Sequence, residues 1–156
     1  MNDRTSTGPD PAADDRRYPS RPDVGVGAVV FKGTDVLLIR RGQPPRQGQW
    51  SIPGGLQRVG ETVFEAGVRE VREETGVTVQ PVALIDVVDS ITRDEHGRPQ
   101  YHYTLVDILA EWQAGEALAG DDAAAVAWTA LDALARFRLW SETERIIRLA
   151  AAKRRA

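Results

Sequence analysis

A mixed β-sheet between helices, an α/β architecture, is the fold class this chain of 156 residues predicts. Three observations lead there. Apolar, β-branched runs fall in two groups, one before and one after a strongly signalled helix. A second helix signal closes the chain. The length is that of one domain able to bury most of its apolar surface.

The elements follow in order. Residues 1–22 carry Pro9, Pro11, Pro19 and Pro22 among Asp, Arg, Ser and Thr, and read as a flexible N-terminal arm ahead of a domain over 23–156. Val24 to Phe31 and Val36 to Arg40 are strand-like runs joined by Lys32-Gly33-Thr34-Asp35, which predicts a hairpin. Gly42 to Gln49 is a loop by its prolines and glycine. Trp50 to Pro53 reads as a short strand delivering Gly54-Gly55.

The helix signal is the clearest. Thr62 with Glu65 forms a capping-box pattern, and Gly76 suits the left-handed residue past a helix end. Between them, Phe64, Val68 and Val71 recur on one helical face. Glu70, Glu73 and Glu74 share another face about a third of a turn away, at ~100° per residue. The helix can bury its apolar stripe and still present carboxylates at a cleft edge. Thr78 to Ser90 reads as a buried strand beginning past Pro81. Asp94 to Gly97 forms a turn tip, and Tyr101 to Trp112 is the returning strand, where Tyr101 and Tyr103 alternate with His102 so that one set faces the core. A loop with Gly115 and Gly120 leads to a strand over Ala123 to Thr129 and a short helix over Leu131 to Phe137. Ser141 with Glu144 is a second capping-box pattern, opening a helix to about Ala151 with a basic end at Lys153-Arg154-Arg155.

Composition narrows the function classes. Apolar content of 42% and charged content of 28% are ordinary for a globular protein. A net charge of −3 gives no support to nucleic-acid binding. No apolar run reaches transmembrane length and no leader pattern opens the chain, so neither membrane insertion nor export is expected. With zero cysteines there is no disulfide framework, thiolate metal site or thiol nucleophile, and the expected setting is cytoplasmic.

The chemistry concentrates around one helix. Three like charges within one turn repel one another, and a hard divalent cation relieves that repulsion best. Carboxylates, a backbone carbonyl and water suit Mg²⁺ shared with substrate phosphates. Glycines beside them leave room for an anion to approach the backbone. Guanidinium forks bind phosphate oxygens, which makes Arg40, Arg41, Arg46 and Arg58 candidates for gripping a diphosphate.

The spacing Gly55, five residues, Glu61, seven residues, then Arg69-Glu70-Val71-x-Glu73-Glu74-x-Gly76-Val77 resembles the signature box of the Nudix hydrolases. The resemblance runs from about Val24 to about Ile147 and includes the Gly48-x-Trp50-x-x-Pro53-Gly54-Gly55 run. It implies the Nudix α/β/α sandwich and Mg²⁺-dependent hydrolysis of a nucleoside diphosphate derivative, with Mn²⁺ as a substitute metal. Carried over residue by residue, it implies Glu70, Glu73, Glu74 and the Gly54 carbonyl as metal ligands, Arg69 as an orienting residue, and Glu61 either as a tie between loop and helix or as a member of the metal cluster through water. The general base lies either in the box helix or in the later loop, where Asp122 is the first candidate, beside Asp121 and Glu116. The context resembles most the branch of ADP-ribose pyrophosphatases, which release AMP and ribose 5-phosphate. A nucleoside-triphosphate pyrophosphatase clearing oxidised dGTP is the alternative, and a nucleotide-sensing module without catalysis is a third reading. The resemblance also implies a homodimer.

Overall fold

The computed structural model describes residues 16–44, 46–120 and 122–156, so the first fifteen residues of the expected arm lie outside the described residues. Strand β1 (Asp23–Lys32) is the centre of the molecule. It pairs in parallel with β6 (Pro99–Ala114) along its whole length, from Asp23 opposite Tyr103 to Phe31 opposite Glu111. The expected hairpin with β2 (Asp35–Arg41) is present only at its tip, where Phe31 faces Val36 and Lys32 faces Asp35. Beyond that tip the strands part. β2 takes β7 (Ala123–Ala130) and the short β3 (Trp50–Ser51) as antiparallel partners, while β1 takes β4 (Gly54–Leu56). The glycine pair is therefore itself a strand, with Gly27 opposite Gly54. The main path of the sheet is β3-β2-β1-β6-β5.

A central strand in a parallel pair is covered on both faces, so its sequence is apolar throughout. Ala28 and Val30 point to one face and pack with Val71 of α1 (Val63–Thr75). Val29 and Phe31 point to the other and pack with Ile146, Ile147 and Ala150 of α2 (Ser141–Arg155). The expected α/β/α sandwich follows from this alternation. The α1 caps form as expected: Thr62 and Glu65 exchange hydrogen bonds at the N-terminus, and Gly76 closes the helix at φ 74°. The second capping box does not form. Ser141 is already inside α2, and the preceding Trp140 offers no side-chain acceptor. The basic end of α2 has a specific anchor. Arg154 pairs with Glu111, donates to the Gly33 carbonyl at 2.6 Å and lies 4.6 Å from the Phe31 ring centre.

Strand β5 (Thr78–Arg93) departs from expectation. It starts at Thr78, since Pro81 sits on an edge strand where a missing amide costs little, beside a register shift between Pro81 and Ala83. It is also not buried through its length: Val82, Leu84, Val87 and Ile91 are exposed on one face. Residues 16–22 are not free of the domain. The Tyr18 amide donates to Gln100, and its hydroxyl donates to Asp94 in the β5–β6 turn. Among the described residues no helix is long and apolar enough to cross a membrane.

The seat of α1 on the sheet depends on Gly67. A Cβ there would stand 2.5 Å from Ile108 Cδ1 and 3.5 Å from Val26 Cγ1. Gly67→Val is expected to lower unfolding free energy by about 1–3 kcal/mol through overpacking. Urea denaturation measures this, and an unchanged midpoint would mean that α1 sits further from the sheet than described.

Candidate active site

A cleft of about 350 Å³ opens where β4 meets α1 and runs under the N-terminus of α2. Glu70 and Glu74, one helical turn apart, enter it from α1. A Cβ on Gly55 would overlap the Glu70 carboxyl, and a Cβ on Gly54 would overlap the Val26 carbonyl. Only glycine lets the strand lie this close to both neighbours. The Gly54 amide donates to Glu74 Oε1 at 3.4 Å. Glu74 Oε2 is buried with no hydrogen-bond partner among the described residues. Burial first, and then the charge of Glu70, push the Glu74 carboxyl up to about 8.

Arg69 organises the surrounding carboxylates. It pairs with Glu61, donates to Glu70 Oε1 at 2.7 Å and Glu73 Oε2 at 3.1 Å, and reaches the Leu56 carbonyl at 3.0 Å. Glu61 is held down to about 2, chiefly by the Arg69 hydrogen bond and then by the Arg58 amide. Glu61 thus ties the loop to the helix through Arg69. Glu73 does not join the other two glutamates. Its carboxylate is drawn outward by Arg69 and by Arg58, the latter at 3.4 Å, into a shallower depression beside Pro81.

Among the described residues, no three acidic or imidazole side chains are gathered as a ready-made metal site. What the cleft offers is two adjacent carboxylates, one with an oxygen bare of partners, against a strand with no side chains. A buried carboxyl with an unused oxygen beside a half-buried carboxylate suits a hard divalent cation, so Glu70 and Glu74 fit that group.

The opposite wall is basic. Arg41 is half-buried, and burial holds its guanidinium below the ordinary value. Glu74 and Asp122 oppose that shift and Arg16 adds to it. Arg46 also lines the cleft, stacked 3.9 Å over the Trp140 ring. Asp122 reaches the rim because Gly42 approaches it closely: the Gly42 amide donates to the Asp122 carbonyl at 2.8 Å.

The NUDIX domain family description matches residues 21–150. The chain belongs to the Nudix hydrolase family. It is similar, at 39% identity over 102 residues, to the ADP-ribose pyrophosphatase of Methanocaldococcus jannaschii, covering 65% of this chain and 58% of that protein. It is similar, at 39% identity over 61 residues, to the 8-oxo-dGDP phosphatase of Danio rerio, covering 38% of this chain and 19% of that protein. The crystal structure of a MutT NUDIX hydrolase from Burkholderia pseudomallei superposes with a TM-score of 0.72 at 32% identity, over 83% of this chain and 98% of that one. The chain spans less than two thirds of the length of either curated relative.

Within this Nudix cleft, the residues singled out by sequence separate into groups. Glu70, Glu74, Gly54, Arg41, Arg46 and Asp122 line it together. Arg40 is exposed on β2 and lines no part of it, because its neighbour Arg41 takes the cleft side of the pleat. Arg58 serves Glu73 and Glu61 instead. Glu116 is exposed outside the cleft, and Asp121 lies outside the described residues. Trp50 packs edge-on against Phe137 at 5.1 Å.

Two cleft residues escaped sequence reasoning. Arg16 read as part of a tail, yet its guanidinium donates to the Pro44 carbonyl at 2.7 Å and faces the cleft. Asp107 read as one more strand residue, yet it is 5% exposed, and burial followed by the charge of Asp86 pushes its carboxyl up to about 7. A charged residue inside the apolar run of β6 was the available signal.

These raised values set a pH dependence. Folded Asp107 and Glu74 keep protons that the unfolded chain loses near pH 4. The stability tied to those protons is complete below about pH 4 and is lost as pH climbs to about 7 and 8. Chemical denaturation in chelator should show stability falling between pH 5 and 8, with a shallower fall in Asp107→Asn. Equal slopes for both proteins would mean that Asp107 ionises normally.

Proposed function

We propose that this chain hydrolyses the phosphoanhydride bond of a nucleoside diphosphate derivative, with ADP-ribose as the substrate and AMP and ribose 5-phosphate as products. The observation that carries the reading is the bare Glu74 oxygen beside Glu70, behind a strand of two glycines and opposite the Arg41–Arg46 wall. The name of the archaeal relative supports ADP-ribose within that class.

Glu70 and Glu74, with the Gly54 carbonyl, would hold Mg²⁺, or Mn²⁺ in its place. Such an ion supplies charge neutralisation on the diphosphate and a lowered pKa for water. The remaining work belongs to side chains. Arg41 and Arg46 bind non-bridging phosphate oxygens and align the diphosphate. Arg69 holds Glu70 in place through its 2.7 Å bond and joins it to Glu73, to which the same nitrogen donates at 3.1 Å. Asp122 at the rim accepts a proton from water as its oxygen bonds to one phosphorus. The bridging oxygen leaves with the other phosphate. The cysteine-free composition supports a cytoplasmic setting. Homodimerisation is a further proposal, tested by sedimentation.

A second reading, hydrolysis of an oxidised guanine nucleotide, is favoured by the name of the zebrafish relative. A panel of ADP-ribose, 8-oxo-dGDP and 8-oxo-dGTP with Mg²⁺ and product identification decides between them. Faster turnover of the oxidised nucleotides would replace the first reading. Binding without turnover of any would make the chain a nucleotide sensor.

Glu74→Gln is expected to cut kcat about 10³-fold, the scale of removing one preorganised charge. The metal-free variant should unfold at an equal or higher temperature than wild type, since a repelling buried charge is gone. A wild-type rate removes Glu74 from the site. Asp122→Asn is expected to cut kcat about 10²-fold, as loss of a general base does. A change under about threefold returns the base to α1.

A further inference from the structure

The deep end of the cleft, away from Glu70 and Glu74, has a different chemistry. Its walls are Ile52, Val88, Leu105 and Ile146, a slot of apolar surface between the sheet and α2. Its floor on β1 has no side chains, because Gly25 and Gly27 stand there. A Cβ on Gly25 would come within 2.7 Å of Leu105 Cδ2. A Cβ on Gly27 would overlap Asp107 Oδ1 and stand 2.9 Å from Ile52 Cδ1. Two glycines in a central strand weaken it unless something must approach closely. Here the close approach is made by Leu105, Ile52 and Asp107, which sets a carboxylate at the edge of an apolar slot.

Asp107 lines the cleft and is 5% exposed. Among the described residues no donor reaches it. The cation whose charge reaches it, Arg145 on α2, is engaged elsewhere: it donates to Asp86 at 3.1 Å and to Glu142 at 2.8 and 3.0 Å. Asp86 lies opposite Asp107 across the β5–β6 pair and adds a second negative charge. The carboxylate opens onto the cleft, where a ligand donor can take the place of water. Phosphate is repelled from this end and belongs at the other. A flat heterocycle with an N–H donor on its edge fits both the apolar walls and the acceptor.

We propose that Asp107 is a specificity-determining residue that accepts a hydrogen bond from the exocyclic amine of an adenine base lying in the slot between Gly25, Gly27 and α2. This deepens the proposed function and rests on a nucleotide occupying this cleft. The amine selects adenine over purines that lack it, while the phosphates remain with Arg41 and the glutamates.

Equilibrium binding of AMP and of purine riboside 5′-monophosphate, which lacks only the amine, tests this in wild type, Asp107→Leu and Asp107→Asn. Leu has the same branched outline and carries no acceptor; Asn retains one and is near in volume. Wild type should bind AMP about 10-fold tighter than the amine-free analogue, the scale of one hydrogen bond to a buried charged group. The preference should collapse to about 1 in Asp107→Leu and survive in Asp107→Asn. AMP that fails to bind, equal affinity for both ligands in wild type, or a preference unchanged in Asp107→Leu would each overturn the proposal. Wild-type turnover of ADP-ribose is measured alongside. Turnover without Asp107-dependent preference defeats this inference alone. Preference without turnover defeats the hydrolase reading and leaves Asp107 in its role.

Discussion

The pairing of Glu70 and Glu74 against a strand with no side chains is the constraint on which the site depends. Two carboxylates one helical turn apart repel each other, and burial strengthens the repulsion. They approach only because Gly54 and Gly55 remove the atoms that would otherwise separate helix from strand. The close packing of β4 between β1 and α1 is the same fact seen from the sheet. A structure built for stability alone would replace such a pair with apolar groups. Here the pair stands with one Glu74 oxygen without a partner among the described residues.

Arg69 is what makes the crowding tolerable. One guanidinium meets Glu61, Glu70 and Glu73 and also a backbone carbonyl. It thereby links all three acidic residues through one cation. Glu70 is steadied toward the cleft, while Glu73 is held on the outer side with help from Arg58. Five donors in a rigid fork can do this, and a lysine ammonium cannot.

The cleft is polarised along its length. Its outer part sets acidic residues from α1 against arginines from the end of β2, the β2–β3 loop and the segment ahead of β1. Its inner part has apolar walls at Ile52, Val88, Leu105 and Ile146 and holds the buried Asp107, with Ser90 and Thr143 also on the lining. Elements far apart in the chain meet there: β1 and β6 supply the floor, α2 the roof and the loop before β7 the rim. The parallel β1–β6 pairing brings this about, by setting Gly25 and Gly27 beside Leu105 and Asp107.

The helix α1, its caps, its apolar stripe and the spacing of its glutamates were legible by themselves, because each rests on contacts within about four residues. So was the α/β class, from the order of the elements. Local spacing could not separate Glu73 from Glu70 and Glu74, since all three share one helical face and their difference comes from Arg58 on a neighbouring loop. Nor could it tell Arg40 from Arg41, whose sides depend on strand pairing, or show that Pro81 lies on an edge and that Ser141 falls inside a helix. Arg16 and Asp107 became visible only in three dimensions. Periodicity records which residues share a face, whereas the burial and charge that give a side chain its chemistry are set by whatever distant segment packs against it.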